Sequence, residues 1–445
     1  MVSMINLTLL TPATKSSDVP EIPSHFQTKL TKNPFRCTYS VLSRLNMSVT
    51  LNVDEKSETN GLKRDSSEKT SELHGEDSAK KALYEKQDRI KKRKIAMMIS
   101  YLGQGYLGLQ RNPGTKTIEE DLLVAMLKAG YISDDVFNQP QLIQFQRAAR
   151  TDKGVSALRQ ILSMKLPENA DVEVINQHLP EQIRAMAMMR VTKGFNCKSN
   201  CDARTYSYMM PTFAFALHGT DANETFRLSP ETRQRVGEVL KMFEGTHNFH
   251  NFTSKKLATD PSVSRYIISF TCEDPFVIDD LEFVILKVKG QSFMLHQIRK
   301  MVGLMIAIVR GLTTSDTLTR SWDREKLDIP IAPGLGLLLE EVHYNRYNFR
   351  YGNDGVHDLI DWSRWDDQVE QFRRKFILPT VVETEKSEKS MLTWLDSLNL
   401  HSFDVRTEHI QSELDQALRK SKGILCPPVL EDPLIPTTLP METAR

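Results

Sequence analysis

Apolar and polar positions follow no period in the first part of the chain, and from Ile95 onward they alternate between short apolar runs and amphipathic stretches. Residues 54–81 are rich in Ser, Thr, Lys and Glu and offer too little apolar surface to offset the entropy of ordering them, so residues 1–93 are expected to be disordered. Order is expected to begin at Ile95–Tyr101, an apolar run bounded by Gly103 and Gly105, which reads as a buried strand ending in a turn. Thr117 with Glu120 makes a capping box. Behind it Ile118, Leu122, Ala125 and Met126 share one helical face, and Gly130 closes the helix. Gln160–Leu166 alternates as a strand, a turn and a helix are expected around Leu179–Pro180, and Arg204–Met210 favours β structure.

In the second half, Ser229 and Pro230 supply an N-cap and a first helical position, and Val236, Val239, Leu240 and Phe243 follow as a stripe. Strands are expected near 263–272 and 282–289. Ser292 is the expected cap of a helix over Phe293–Arg310 that Gly311 ends. A turn over 332–336 precedes an apolar strand to Val342, and Trp362–Phe376 and Ser390–Leu398 read as amphipathic helices. The pattern gives an α+β body over 94–350, a helical extension over 351–403 and a polar, Pro-rich tail over 404–445 that is expected to be mobile.

Composition narrows this picture. No apolar run approaches the roughly 20 residues a membrane helix needs, and none of the five scattered cysteines suggests a disulfide framework. Cys197 and Cys201 lack a matching Cys or His pair, and His247 and His250 sit in an aromatic turn without a carboxylate, so no metal site is expected. The net charge of +1 conceals segments of opposite sign. Residues 286–310 hold five basic and no acidic side chains, residues 141–211 hold ten against six, and residues 351–445 hold eleven against seventeen. A polyanion would bind the middle of the chain. Residues 1–46 are basic and hydroxyl-rich like an organelle transit peptide, which leaves Met47 as a second start. Arg89–Lys94 reads either as a nuclear-localisation cluster or as a basic edge leading into the first strand.

The candidate chemistry centres on Asp152, which has Arg150 two residues before it and Arg147 and Lys153 nearby. Opposite charge in a tight geometry would hold Asp152 ionised, ready to act as a nucleophile or a base. Gly154 marks a turn. The alternative reading is an Arg–Asp pair that only stabilises a surface turn. Arg299 lies off the apolar stripe of its helix, where by position alone it reads as an exposed cation.

Seven blocks in order carry a resemblance. They are Tyr101–Gln110, Thr117–Glu119, Arg147–Ala157, Ala203–Tyr208, Gly245–Phe249, Gln291–Gly303 and Ala332–Leu335. Together they resemble the tRNA pseudouridine synthases of the TruA family, nearest its eukaryotic branch, from about Lys94 to Phe403. Ala149 and Ser156 depart from the commonest bacterial pattern, which has Gly and His there. The resemblance implies a pseudouridine synthase fold: a central, mainly antiparallel sheet flanked by helices, in two lobes with a deep basic cleft. It also implies that Asp152 is the catalytic aspartate, that Tyr206 stacks on the target base, that Arg299 pairs with the catalytic carboxylate, and that Arg150 helps to open the nucleotide from its stack. The reaction breaks the N-glycosidic bond of uridine, turns the uracil and rejoins it through carbon five, with no cofactor expected. The implied partner is tRNA, anticodon-stem positions included, with messenger RNA as an additional substrate. No membrane partner is expected, the protein is expected to be a monomer, and its expected location is the nucleus, the mitochondrion or both. The acidic C-terminal helices are expected outside the cleft, so that residues 1–350 would keep full activity. Two other functions remain open, a silent RNA-binding protein on the same scaffold and a nucleoside hydrolase.

Overall fold

The computed structural model describes residues 91–220, 222–352 and 354–406. Ten strands form one sheet: β1 (Lys92–Tyr101), β2 (Gln146–Arg147), β3 (Ser156–Pro167), β4 (Ile183–Arg190), β5 (Ala203–Pro211), β6 (Gly245–Asn248), β7 (Ser264–Cys272), β8 (Phe276–Ile278), β9 (Leu281–Gly290) and β10 (Leu337–His343). The order across the sheet is β4-β1-β3-β10-β5-β9-β7-β6, with β2 on β3 and β8 on β9. The sheet is mainly antiparallel and flanked by helices, as the resemblance implies. One parallel step interrupts it: β10 runs alongside β3, with Leu339 opposite Ala157, and antiparallel to β5, with Leu339 opposite Tyr206. That insertion decides the site. Strand spacing is about 4.8 Å, so the strand leaving Asp152 and the strand carrying Tyr206 run roughly 10 Å apart across one shared neighbour.

Alternation along β5 sorts the two faces of the sheet. Tyr206 and Tyr208 point one way, Ser207 and Met209 the other. Helices α1 (Ile118–Lys128), α2 (Pro230–Lys241) and α3 (Gln297–Val309) flank the sheet, and Arg299 of α3 acts on Tyr208, on the Tyr206 face. Thr117 caps α1 by accepting the Glu120 N–H at 3.4 Å, and Ser229 caps α2 by accepting the Thr232 N–H at 3.2 Å, as the sequence predicts. Helix α3 differs from its prediction. It starts at Gln297 and its N-cap is His296, because the chain from Ser292 to Leu295 forms an irregular loop first.

The C-terminal extension covers the opposite face. It comprises α4 (Asp366–Phe372), a π-helical turn (Arg373–Ile377), α5 (Leu378–Glu388) and α6 (Ser390–Ser397). Phe372, Ile377, Val381, Val382, Met391 and Leu395 are buried there, so these helices are part of the core and not an appendage. Glu340 of β10 is the polar anchor. It accepts a 2.9 Å hydrogen bond from Ser207 Oγ and an ion pair from Arg373, whose Nε also donates to Glu370 at 3.0 Å.

Several boundaries move. The first strand begins at Lys92, and Lys91 and Arg93 pair with Glu168 while Lys94 is buried and donates to Gln144 O at 3.0 Å. The second half of the basic cluster is therefore a strand edge. Residues 404–406, expected in the mobile tail, are tied down: Asp328 N–H donates to Asp404 O at 2.9 Å and Leu327 bridges Val405. The rest of the tail, 407–445, lies outside the described residues, as do the transit-like segment and Met47. The turn and helix expected around Leu179–Pro180 are present as a short helix, Val172–Asn176, that ends in that turn, and β4 follows. His247 stacks on Trp322 at 4.5 Å, so the His247–Phe252 segment is a packed turn, as expected.

Candidate active site

Asp152 sits in the connection from β2 to β3, and the backbone around it is held from four sides. Gln160, fully buried, accepts the Ala149 N–H at 3.2 Å and donates to Ala149 O at 3.0 Å. The Arg204 guanidinium donates to Ala148 O at 2.7 and 3.2 Å and to Gln291 O at 2.9 Å, which ties this connection, β5 and the loop before α3 together. Tyr101 and Thr151 share a buried hydroxyl pair at 2.8 Å. Leu109 N–H donates to Thr151 O at 3.2 Å, and Gly154, at φ +76°, donates to Tyr106 O at 3.2 Å. The segment Gly103–Leu109 can lie this close only because of its glycines. A Cβ at Gly108 (φ +104°) would stand 2.8 Å from Thr151 O, and one at Gly103 would collide with Val155 O. Ser156, a position that departs from the bacterial pattern, accepts the Gly103 N–H at 2.9 Å. All this fixes the main chain and leaves two side chains outside. Asp152 and Arg150 are exposed, and neither side chain hydrogen-bonds to another described residue.

The cations expected to crowd Asp152 are distributed differently. Arg147 is committed to α1, donating to both oxygens of the buried Glu119 at 2.8 and 2.7 Å. Arg299 on α3 donates through Nε to Ala332 O at 2.6 Å and lies 3.7 Å from the Cβ position of Gly334. The contact ion pair expected between Arg299 and Asp152 is not formed, because the guanidinium is held on the Ala332–Gly334 turn. The two charges nonetheless act on each other. Burial lowers Arg299 from its ordinary value, and Tyr208 and then Asp152 oppose that shift.

Tyr206 lies on β5 between Leu339 and Val288, with its ring edge-on to Phe293 at 5.2 Å. Burial pushes its hydroxyl up to about 12, with the charge of Asp152 adding to the rise against Arg204. It is a neutral phenol across the physiological range. Asp152 thus lies within electrostatic reach of Tyr206, Arg299 and His296. Behind the turn, on the Ser207 face, a cavity of about 400 Å³ is lined by Lys153, Gly154, Gly105, Leu338, Ile377 and Val381. Among the described residues no group of three or more His, Cys, Asp or Glu could hold a metal ion.

Comparison with known proteins bears on this arrangement. The family model for tRNA pseudouridine synthase matches residues 239–345. The mouse pseudouridylate synthase 1 homologue is 51% identical over 71% of this chain and 76% of its own length. The human one is 52% identical over 69% and 74%. The tRNA pseudouridine synthase 1 of Yarrowia lipolytica is 37% identical over 67% and 72%. The chain belongs to the tRNA pseudouridine synthase family. The structure puts Asp152 and Arg150 on one turn, with Tyr206 and Arg299 within electrostatic reach of Asp152 but not in contact with it. Sequence reading missed Arg204 and His296. Arg204 could have been found from its place two residues before Tyr206, where alternation puts it on the same face. For His296, only the non-helical backbone before α3 gives the residue away.

Proposed function

We propose that the protein isomerises uridine to pseudouridine in tRNA, with Asp152 as the catalytic carboxylate. The observation that carries this reading is an exposed, unpaired carboxylate on a turn whose main chain is fixed on every side, next to a neutral aromatic platform. Such rigidity is what a reacting group needs, because misplacement by about 1 Å can cost on the order of 100-fold in rate. Asp152 attacks the sugar or assists departure of uracil, as a glycosidase carboxylate does at an oxocarbenium-like centre. Tyr206 holds the extruded base by stacking. Its raised hydroxyl argues against a phenolate and for a neutral phenol that stacks or donates. Arg150, exposed beside Asp152, faces the nucleic acid, and Arg299 sets the local potential from its seat on Ala332.

Messenger RNA with the same local structure is a further substrate under this proposal. The protein acts in the nucleus, the mitochondrion or both; N-terminal sequencing of the protein from each fraction tests this, and a cytosolic pool alone overturns it. The central experiment is Asp152→Ala in a pseudouridine-forming assay on tRNA. Loss of at least about 10⁴-fold in rate with tRNA retention intact is expected. Wild-type turnover refutes the role of Asp152, and release of free uracil by the unmodified protein would favour a hydrolase.

A further inference from the structure

His296 is unusual in two independent respects. Among the described residues, seven non-glycine residues have positive φ and five side chains have a sealed nitrogen or oxygen without a hydrogen-bond partner; only His296 belongs to both groups. Its backbone is left-handed, φ 61° and ψ 2°, and its Nδ1 is the sealed atom. Strained backbone and unsatisfied polar groups persist where function holds them.

Helix α3 does not need the His296 side chain. It makes no capping hydrogen bond, and the loop ahead of it is tied instead by the buried Gln297, which accepts the Met294 N–H at 2.9 Å. Its position matters more. In the chain His296 falls between Phe293, which touches Tyr206, and Arg299, and the charges of both Arg299 and Asp152 reach its ring. Burial and then Arg299 lower it below the usual histidine value, so the ring is neutral at pH 7. A sealed nitrogen without an acceptor is tolerated as a bare lone pair far better than as an N–H, which puts the proton on Nε2. Nε2 has no partner among the described residues and is not sealed. It is a free donor within electrostatic reach of Asp152.

We propose that His296 is a further catalytic residue of the isomerisation, its Nε2–H donating to a ring carbonyl oxygen of the target uracil. This rests on the pseudouridine synthase reading above. When the bond from C1′ to N1 breaks, its electron pair goes to the uracil and spreads onto the carbonyl oxygens. A fixed neutral donor binds that charged ring better than it binds the uridine. As C1′ joins C5, the C5 proton is lost and N1 gains one, so the step balances without a co-reactant.

The test is single-turnover isomerisation by His296→Gly, which keeps the left-handed backbone without strain, and by His296→Asn, which tolerates that backbone and retains an N–H. Glycine is expected to lower the rate about 100-fold with tRNA retention unchanged, and asparagine to recover about tenfold of it. A substrate with 2-thiouridine or 4-thiouridine at the target position adds the deciding arm. Sulfur at the contacted carbonyl should slow the wild type and leave the glycine variant no slower than it already is. The inference is overturned by glycine-variant turnover within about twofold of wild type. Equal slowing of wild type and variant by both thio substrates also overturns it, as does a loss confined to retention with a shallower salt dependence, which would mark a phosphate contact. If the wild type itself makes no pseudouridine, the functional reading falls along with it.

Discussion

Replacing Arg373 with Met should destabilise the protein from the side of the sheet remote from Asp152. The Glu340 side chain is 11% exposed and that of Arg373 15%. Removing the guanidinium leaves a carboxylate inside the sheet with only the Ser207 hydroxyl as donor. Breaking a buried pair from one side costs about 3–5 kcal/mol, and residual water access at Glu340 puts this case at the low end, about 3 kcal/mol. That is roughly a 150-fold change in the folding equilibrium, against total stabilities of about 5–15 kcal/mol. Urea denaturation of the wild type, Arg373→Met, Glu340→Gln and the double variant measures it as a cycle. The double variant should recover most of the loss, since a neutral amide beside methionine leaves no buried charge. Lys375→Met is the internal control: its partner is Glu181, the two side chains are 65% and 71% exposed, and removing the pair should cost less than about 1 kcal/mol. The reasoning is refuted if Arg373→Met costs no more than that control, or if the double variant is as unstable as the single.

Gly108→Ala should cut pseudouridine formation by about 100-fold or more, because the new methyl must displace Thr151 and with it Asp152; a rate assay with a thermal melt checks it, and a fully active variant contradicts the close approach. Glu385 is buried and pushed up to about 7, so the folded chain holds its proton more tightly than the unfolded one, and stability declines as pH rises from about 4.5 through about 7. Glu385→Gln lacks that decline, and its stability margin over the wild type should widen between about pH 5 and pH 8 in denaturation curves. Truncation at residue 350 should yield an unstable, aggregating fragment and not the fully active one expected from sequence. Exposing six buried side chains from Phe372 to Leu395 at about 2 kcal/mol each is on the order of the whole domain's stability. A soluble, fully active fragment would refute it.

Local signals in the sequence located most of the elements, because caps and alternation act within a few residues. The cap at Thr117, the strand at Arg204–Met210 and the turn at Gly154 all stand where expected. Strand β4 has no clear signal in the sequence, because Ala, Met and Arg favour helices, although Ile183, Ala185 and Ala187 alternate inward. Helix α5 lies between the two helices expected in this region, and Pro379 is tolerated within its first turn. For the site, the motif around Asp152 reads as a turn leading into a strand, and the structure has Gly154 at φ +76° ahead of β3. The allocation of cations was illegible. That Arg147 turns to Glu119 and Arg299 to Ala332 depends on partners 28 and 33 residues away, a distance no local period encodes.

The parallel strand at the centre of the sheet also sets a timetable. β3 is complete at Pro167, but β10, the strand that must lie against it, begins only at Leu337, about 170 residues later. At a synthesis rate of about 5–20 residues per second, the β3 edge waits roughly 10–35 s before its neighbour is made. Through that interval a growing chain presents an open strand beside the Asp152 turn, while β5 with Tyr206 has no strand linking it to that half. The Asp152 turn and the strand carrying Tyr206 are joined through the sheet only once β10 has been made, so a nascent chain carries both long before the sheet holds them together, and the exposed β3 edge is where a chaperone would be needed.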